Sequence, residues 1–326
     1  MDGFPLLDSP LYPFTPKRFT RNGLGLSYLD EGSGEPVVMV HGNPTWSFYF
    51  RNLVLALRPN FRCVVPDHIG MGLSDKPPAS QYPYSLKARI DDVEALLDSL
   101  NIKDNITLVM QDWGGMIGMG YAARHPGRIK RIVATNTGCT RLPKSKPLPP
   151  SLWVGRNTAL GAWLILHRNY FCRKAIDWCV KRKPLPDDVK RMYLMPYDTP
   201  ANRVAVLKFV QTIPLKPSDE GYDIVVGVEE SAKQFATVPT LLLWGMKDFV
   251  FDKHFLAEWQ RLFPHATTHT WPDCGHYLLE DAGDEVIGKV KAFLGEPAGG
   301  GGGAGGGGAP RPPPPRPPAG KSRKTK

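Results

Sequence analysis

Short apolar runs recur along the chain, and the first three each stop at a polar cluster that contains glycine. Residues 37–40 run into HGNP, 61–65 into PDHIGMG and 106–110 into QDWGG; 132–135, 241–244 and Thr267–Trp271 follow later. Runs of this length without alternation are what strands covered on both faces require, so they predict a largely parallel sheet. Between the second and third runs, Leu86, Ile90, Val93, Leu97 and Leu100 repeat at spacings of 4, 3, 4 and 3. That is one face of a helix, with Ser85 placed to cap its N-terminus. Strand, loop, helix, strand in this order predicts an α/β, mostly parallel, doubly wound fold. Ligands in such sheets bind outside the carboxyl ends of strands, and that is where the polar clusters sit.

The alternation lapses between residues 138 and 234. Candidate helices at 153–168, 171–181, 186–195 and 201–212 follow one another with no strand between them. The expected organisation is therefore a core in two parts, 1–137 and 235–296, with 138–234 inserted as a helical cap over the strand ends. Residues 297–326 form a separate tail.

Composition divides the chain at the same place. Lys and Arg number 41 against 31 Asp and Glu, a formal charge of +10, but Arg311, Arg316, Lys321, Arg323, Lys324 and Lys326 lie in a tail with no acid. Subtracting those six leaves a body at +4, so the chemistry requires no nucleic acid or other polyanion. The Gly-rich tail cannot bury enough apolar surface to order itself. Its RPPPPRPP stretch predicts polyproline II, and its KSRKTK end suits an anionic or protein partner. The first twenty residues carry acids and four prolines and read as neither signal nor anchor. No later segment offers the roughly eighteen apolar residues in a row that a membrane span needs. Five scattered cysteines without a C-x-x-C pair point to reduced thiols, no structural zinc and a cytoplasmic setting.

The strongest chemical signal is LVMQDWGG at 108–115. A strand running into x-nucleophile-x-Gly and then a helix is a nucleophile elbow, whose sharp turn exposes the central side chain at the helix N-terminus. Gly114 and Gly115 supply the small residues that close strand–helix contact needs, whereas Met110 stands where Gly is common. The nucleophile position holds Asp112, and a carboxylate displaces leaving groups at saturated carbon, forming an ester on the enzyme.

At this point the chain resembles the α/β-hydrolase superfamily and, within it, the haloalkane dehalogenases. The resemblance rests on HGNPTWSF (41–48), DHIGMGLSDKP (67–77), QDWGG (111–115), WGMKDFVFD (244–252) and GHYLLED (275–281), in that order. It implies that Asp112 is the nucleophile, His276 the base and Asp248 the acid that orients it. It implies further that backbone N–H groups of Asn43 and Trp113 form the oxyanion hole, and that their side-chain donors hold a departing halide. Loss of one such donor costs about 2.7–4 kcal/mol in comparable sites. The implied reaction displaces halide from a haloalkane and hydrolyses the ester with His276-activated water, without metal or organic cofactor. Asp67, His68 and Ser74 read as loop structure.

The placement of the acid, with Asn43 and Trp113, looks like the third dehalogenase subfamily. That group includes a β-lactone decarboxylase of bacterial olefin biosynthesis, to which NRVAVLKFVQTIPL (202–215) and FDKHFL (251–256) look similar. The alternative reaction is therefore opening of a cis-3,4-dialkyl oxetan-2-one to a cis-alkene and carbon dioxide. Both reactions take an apolar small molecule. An epoxide hydrolase would need two cap tyrosines above Asp112, for which Tyr170, Tyr193 and Tyr197 are available. An idle binding module acting through its tail is the non-enzymatic alternative.

Overall fold

The computed structural model describes residues 9–295, so the 297–326 tail and the final residue of the second core part lie outside the described residues. Eight strands form one sheet in the order β1-β2-β4-β3-β5-β6-β7-β8. They are β1 (Lys17–Arg21), β2 (Leu24–Glu31), β3 (Glu35–Val40), β4 (Phe61–Pro66), β5 (Ile106–Asp112), β6 (Ile129–Thr137), β7 (Thr240–Gly245) and β8 (Thr267–Trp271). Pairing is parallel from β4 through β8 and antiparallel at β1–β2 and β2–β4.

The six strands expected from apolar runs are all present. The additional pair, β1 and β2, has no such run. β1 is KRFTR with three exposed residues, an edge strand that charge keeps from pairing with another chain.

Alternate residues of each central strand enter different cores. Val38 and Val40 of β3 pack with Leu108 and Met110 of β5 against α2 (Leu86–Ser99) and α3 (Gly114–Arg124). Val37 and Met39 pack with Val109 of β5 against α1 (Arg51–Leu57) and α12 (Gly283–Leu294). Continuous apolar strands are thus explained by burial on both faces. Ser85 caps α2 as its sequence suggests, its Oγ accepting from Ala88 N at 3.1 Å.

Between β6 and β7 the described residues contain helices and no strand. These are α4 (Pro150–Asn157), α5 (Ala159–Arg168), α6 (Tyr170–Trp178), α7 (Asp187–Leu194), α8 (Val204–Gln211) and α9 (Tyr222–Ser231), with short 3₁₀ turns. The single helix expected over 153–168 is two. Thr158 is extended, and its Oγ accepts from Gly161 N at 3.0 Å, so it ends α4 and caps α5. Helix α9 has no counterpart among the helices that the sequence predicts. After β7 come α10 (Lys253–Leu262), α11 (Leu278–Asp281) and α12. None of the five cysteines forms a disulfide and all are buried, Cys172 and Cys179 in separate cores. No described helix is long and apolar enough to cross a membrane.

Candidate active site

Five adjacent parallel strands deliver their carboxyl ends to one place: β3 carries Asn43, β5 Asp112, β6 Asn136, β7 Asp248 and β8 His276. Asp112 is the last residue of β5, and its φ of 53° is left-handed, a strained choice for a residue with a Cβ. The turn that imposes it brings helix α3 hard against β3. A Cβ on Gly114 would lie 1.9 Å from the carbonyl oxygen of Val40, so only glycine fits. Met110 is tolerated in the upstream position because Gly118, one turn into α3, leaves room for its sulfur: a Cβ at Gly118 would lie 2.5 Å from it.

Asp112, Asp248, His276, Asn43 and Trp113 are all buried. The backbone N–H of Asn43 donates to Asp112 Oδ1 at 2.6 Å, whereas Trp113 N–H forms no such bond to that carboxylate. His276 Nε2 lies 3.4 Å from Asp112 Oδ2, and its Nδ1 lies 2.7 Å from Asp248 Oδ2. Phe251 stacks on the imidazole with ring centroids 5.7 Å apart. Burial alone would discharge His276, but the charges of Asp248 and Asp112 and hydrogen bonds to both outweigh it and push its pKa up to about 10. The resting imidazole is therefore the cation.

The side-chain amide of Asn43 is partly occupied elsewhere, since Nδ2 donates to the carbonyl of Val206 in α8 at 3.1 Å. The indole N–H of Trp113 has no protein acceptor among the described residues, and its ring packs on Phe209 at 5.2 Å. Both side chains border a cavity of about 430 Å³ with Asp112 and His276 at its floor. Its walls are apolar: Leu152 of α4, Leu164 and Ile165 of α5, Phe171 of α6 and Val210 of α8 are among them. Of the three tyrosines, only Tyr170 lines it. Tyr193 donates to Glu280 at 2.5 Å and Tyr197 to the Thr45 carbonyl at 3.3 Å, so no tyrosine pair stands over Asp112.

Two residues at the site have roles that sequence reasoning passed over. Asn136 Nδ2 donates to Asp248 Oδ2 at 3.1 Å and to Gly245 O at 3.0 Å, while its Oδ1 accepts from Gly245 N at 2.8 Å. It locks the loop that carries Asp248 to β6. Gln111, within the QDWGG motif, has Nε2 at 2.9 Å from His276 Nε2 and an unpartnered Oε1. Rotating this amide by half a turn presents the acceptor to the imidazolium.

Asp67, His68 and Ser74 behave as loop structure. Asp67 accepts from Ser47 N at 2.7 Å and Leu73 N at 2.9 Å, and Ser74 donates to its carbonyl at 2.6 Å. Burial pushes the Asp67 carboxyl up to about 6. His41 is held neutral, its pKa drawn down to about 4 by burial, and it accepts from His68 N at 3.2 Å. Among the described residues no group of three or more His, Cys, Asp or Glu side chains is arranged to hold a metal.

Known proteins are similar to this chain over most of its length. The chain is 58% identical over 291 residues to a cis-3-alkyl-4-alkyloxetan-2-one decarboxylase of Shewanella oneidensis, covering 89% of this chain and 91% of that one. A protein of the same name from Xanthomonas campestris is 45% identical over 87% of this chain and 97% of its own. Among solved structures, a haloalkane dehalogenase of Agrobacterium tumefaciens superposes with a TM-score of 0.76 at 26% identity, over 86% of this chain and 96% of that one. The family model described as alpha/beta hydrolase fold matches residues 35–283. With β3 through β8 parallel and an elbow at the end of β5, this chain belongs to the α/β-hydrolase fold family.

Proposed function

We propose that the protein is a β-lactone decarboxylase that converts cis-3,4-dialkyl oxetan-2-ones into cis-alkenes, with the 138–234 helices as the cap that holds both alkyl chains. The observation that carries this reading is an Asp112–His276–Asp248 line at the floor of an apolar cavity, in a chain 58% identical to a decarboxylase of that description.

Asp112 is the nucleophile. Oδ1 is held by Asn43, so Oδ2 attacks C4 of the lactone in line with the ring oxygen. The Oδ2–C4 bond forms, the C4–ring-oxygen bond breaks, and the ring oxygen leaves as part of a carboxylate on C3. The donors at Trp113 and Asn43 meet that growing negative charge. In the second step the bond from C3 to the carboxylate carbon breaks and its electron pair becomes the C3–C4 double bond. The ester bond from C4 to Asp112 breaks at the same time, releasing carbon dioxide and restoring the carboxylate. Inversion at C4 followed by anti elimination places the two alkyl groups on the same side, so a cis-lactone yields a cis-alkene.

The charged state of His276 supports this chemistry. A general base must be unprotonated, but an imidazolium beside Asp112 stabilises a carboxylate as it departs. Asp248 keeps the proton on His276, and Asn136 keeps Asp248 in place. An apolar cavity that excludes water also protects the ester from hydrolysis.

Dehalogenation is the second reading, supported by the free indole donor of Trp113 and the 26% identical dehalogenase structure. In that reaction His276 must give up its proton once Asp112 is esterified. The deciding experiment offers the purified protein a long-chain cis-dialkyl β-lactone and, separately, a medium-chain 1-bromoalkane. Cis-alkene and carbon dioxide are expected from the first; bromide from the second without alkene from the first would replace the proposal with dehalogenation.

A further inference from the structure

Among the described residues, the exposed large apolar side chains are Trp153, Leu160, Trp163, Tyr170 and Trp178, and all five lie on α4, α5 and α6. Isolated apolar residues on a surface are ordinary, but a cluster of large ones marks an interaction site. Helix α5 makes the case most clearly. Its sequence, ALGAWLILHR, has no charged residue before its last turn. Gly161, Leu164 and Ile165 face the cavity while Leu160 and Trp163 face solvent. A helix that is apolar on opposite sides is one whose outer side is covered in use.

Cations are interleaved with these aromatics. Arg168 lies over the Trp163 ring at 5.9 Å, and Lys174 sits between Tyr170 at 5.7 Å and Trp178 at 5.5 Å. Arg156 and Arg182 of this region are paired with carboxylates, but Arg168, Arg173, Lys174, Lys181 and Lys183 have no such partner among the described residues. Tyr170 and Trp178 both line the cavity and meet solvent, so this face contains the cavity's mouth.

We propose that the α4–α6 face docks on an anionic lipid bilayer, with its aromatic side chains in the headgroup layer and the cavity mouth opening toward the acyl chains. Trp and Tyr flanked by Lys and Arg are the side chains that such an interface favours. An acidic protein surface would satisfy the cations, but it would not explain why two of the exposed aromatics, Tyr170 and Trp178, stand at the entrance to an apolar cavity. A substrate with two long alkyl chains resides in the bilayer, and docking lets it reach Asp112 without crossing water. The inference goes beyond the decarboxylase reading, and its test requires no turnover.

The full chain is mixed with vesicles of phosphatidylcholine alone or with phosphatidylglycerol, in each case also with brominated acyl chains that quench nearby tryptophan. Binding to the anionic vesicles with quenching is expected. The W153Q/L160Q/W163Q variant, none of whose positions lines the cavity, should lose the quenching and bind about tenfold or more weakly. Should that variant misfold, R173E/K183E should retain its fold and lose anionic-vesicle binding. No binding overturns the proposal, as does binding without quenching, which would mean that the cationic tail alone is attached. A dimer of the parent chain that W153Q/L160Q/W163Q dissolves overturns it too, because a second copy would then cover the face.

Discussion

At the scale of single residues, the proton on His276 separates the two chemistries. Its pKa is raised from 6.5 to about 10, so the stability it lends the fold is full below about pH 6.5 and disappears as pH rises through about 10. The melting temperature of the parent, but not of H276A, should fall across that window. Decarboxylation uses the imidazolium and should hold its rate from neutral pH until the proton is lost. Because the Asp112 ester no longer helps to retain it, the decline should begin below pH 10. A hydrolytic step with His276 as base would instead accelerate with pH. Replacing Asp112 with Asn should cost roughly a thousandfold or more in kcat with the fold intact. If a bromoalkane is a substrate, H276A should gain the mass of its alkyl group, since displacement proceeds without the base and ester cleavage does not. These residues were readable in advance because each motif places one functional group beside glycines that the turn demands. The direction of the Asn43 amide was not, since it is set by Val206, 163 residues away.

At the scale of elements, the site depends on how loops are pinned to strands that the chain reaches far apart. Asn136 on β6 holds the loop after β7 through Gly245 and Asp248. N136A should leave Gly245 N–H and one Asp248 oxygen without this partner and cost about 1–3 kcal/mol in stability. It should also lower kcat, because a displaced Asp248 no longer holds the proton on His276. An effect on stability with kcat and the pH profile unchanged would reduce Asn136 to a scaffold residue. As a contrast, S85A removes the cap of α2, distant from the chemistry, and should cost about 1 kcal/mol with kcat unaltered. Central strands and α2 were legible because burial on two faces or one leaves a periodic mark. β1 was not, because an exposed edge strand such as KRFTR carries no apolar signature. The break at Thr158 leaves no mark in the pattern because apolar spacing on either side of it is nearly continuous, and only its capping hydroxyl ends one helix and starts the next.

For the whole molecule, the proposed function divides the labour between a sheet that fixes the reacting groups and helices that select what reaches them. Strand register leaves little freedom in the first, because slipping β5 by one residue would turn Asp112 away from Asn43 and His276. In the proposed reaction the helices between β6 and β7 supply apolar cavity walls that meet the substrate's chains. A substitution there should therefore change which substrate is used before it changes how. Leu164 of α5 lines the cavity and is only half-buried, so a larger side chain there has solvent-side room. L164W should shorten the preferred alkyl chain: kcat/KM for long-chain lactones should fall about tenfold or more, while that for short-chain analogues changes little. Competition between long- and short-chain lactones, with the alkenes resolved by chain length, measures this ratio directly. An equal loss for all lengths would mean that Leu164 supports the reacting groups rather than the chains, and that cap and sheet do not divide the work in this way.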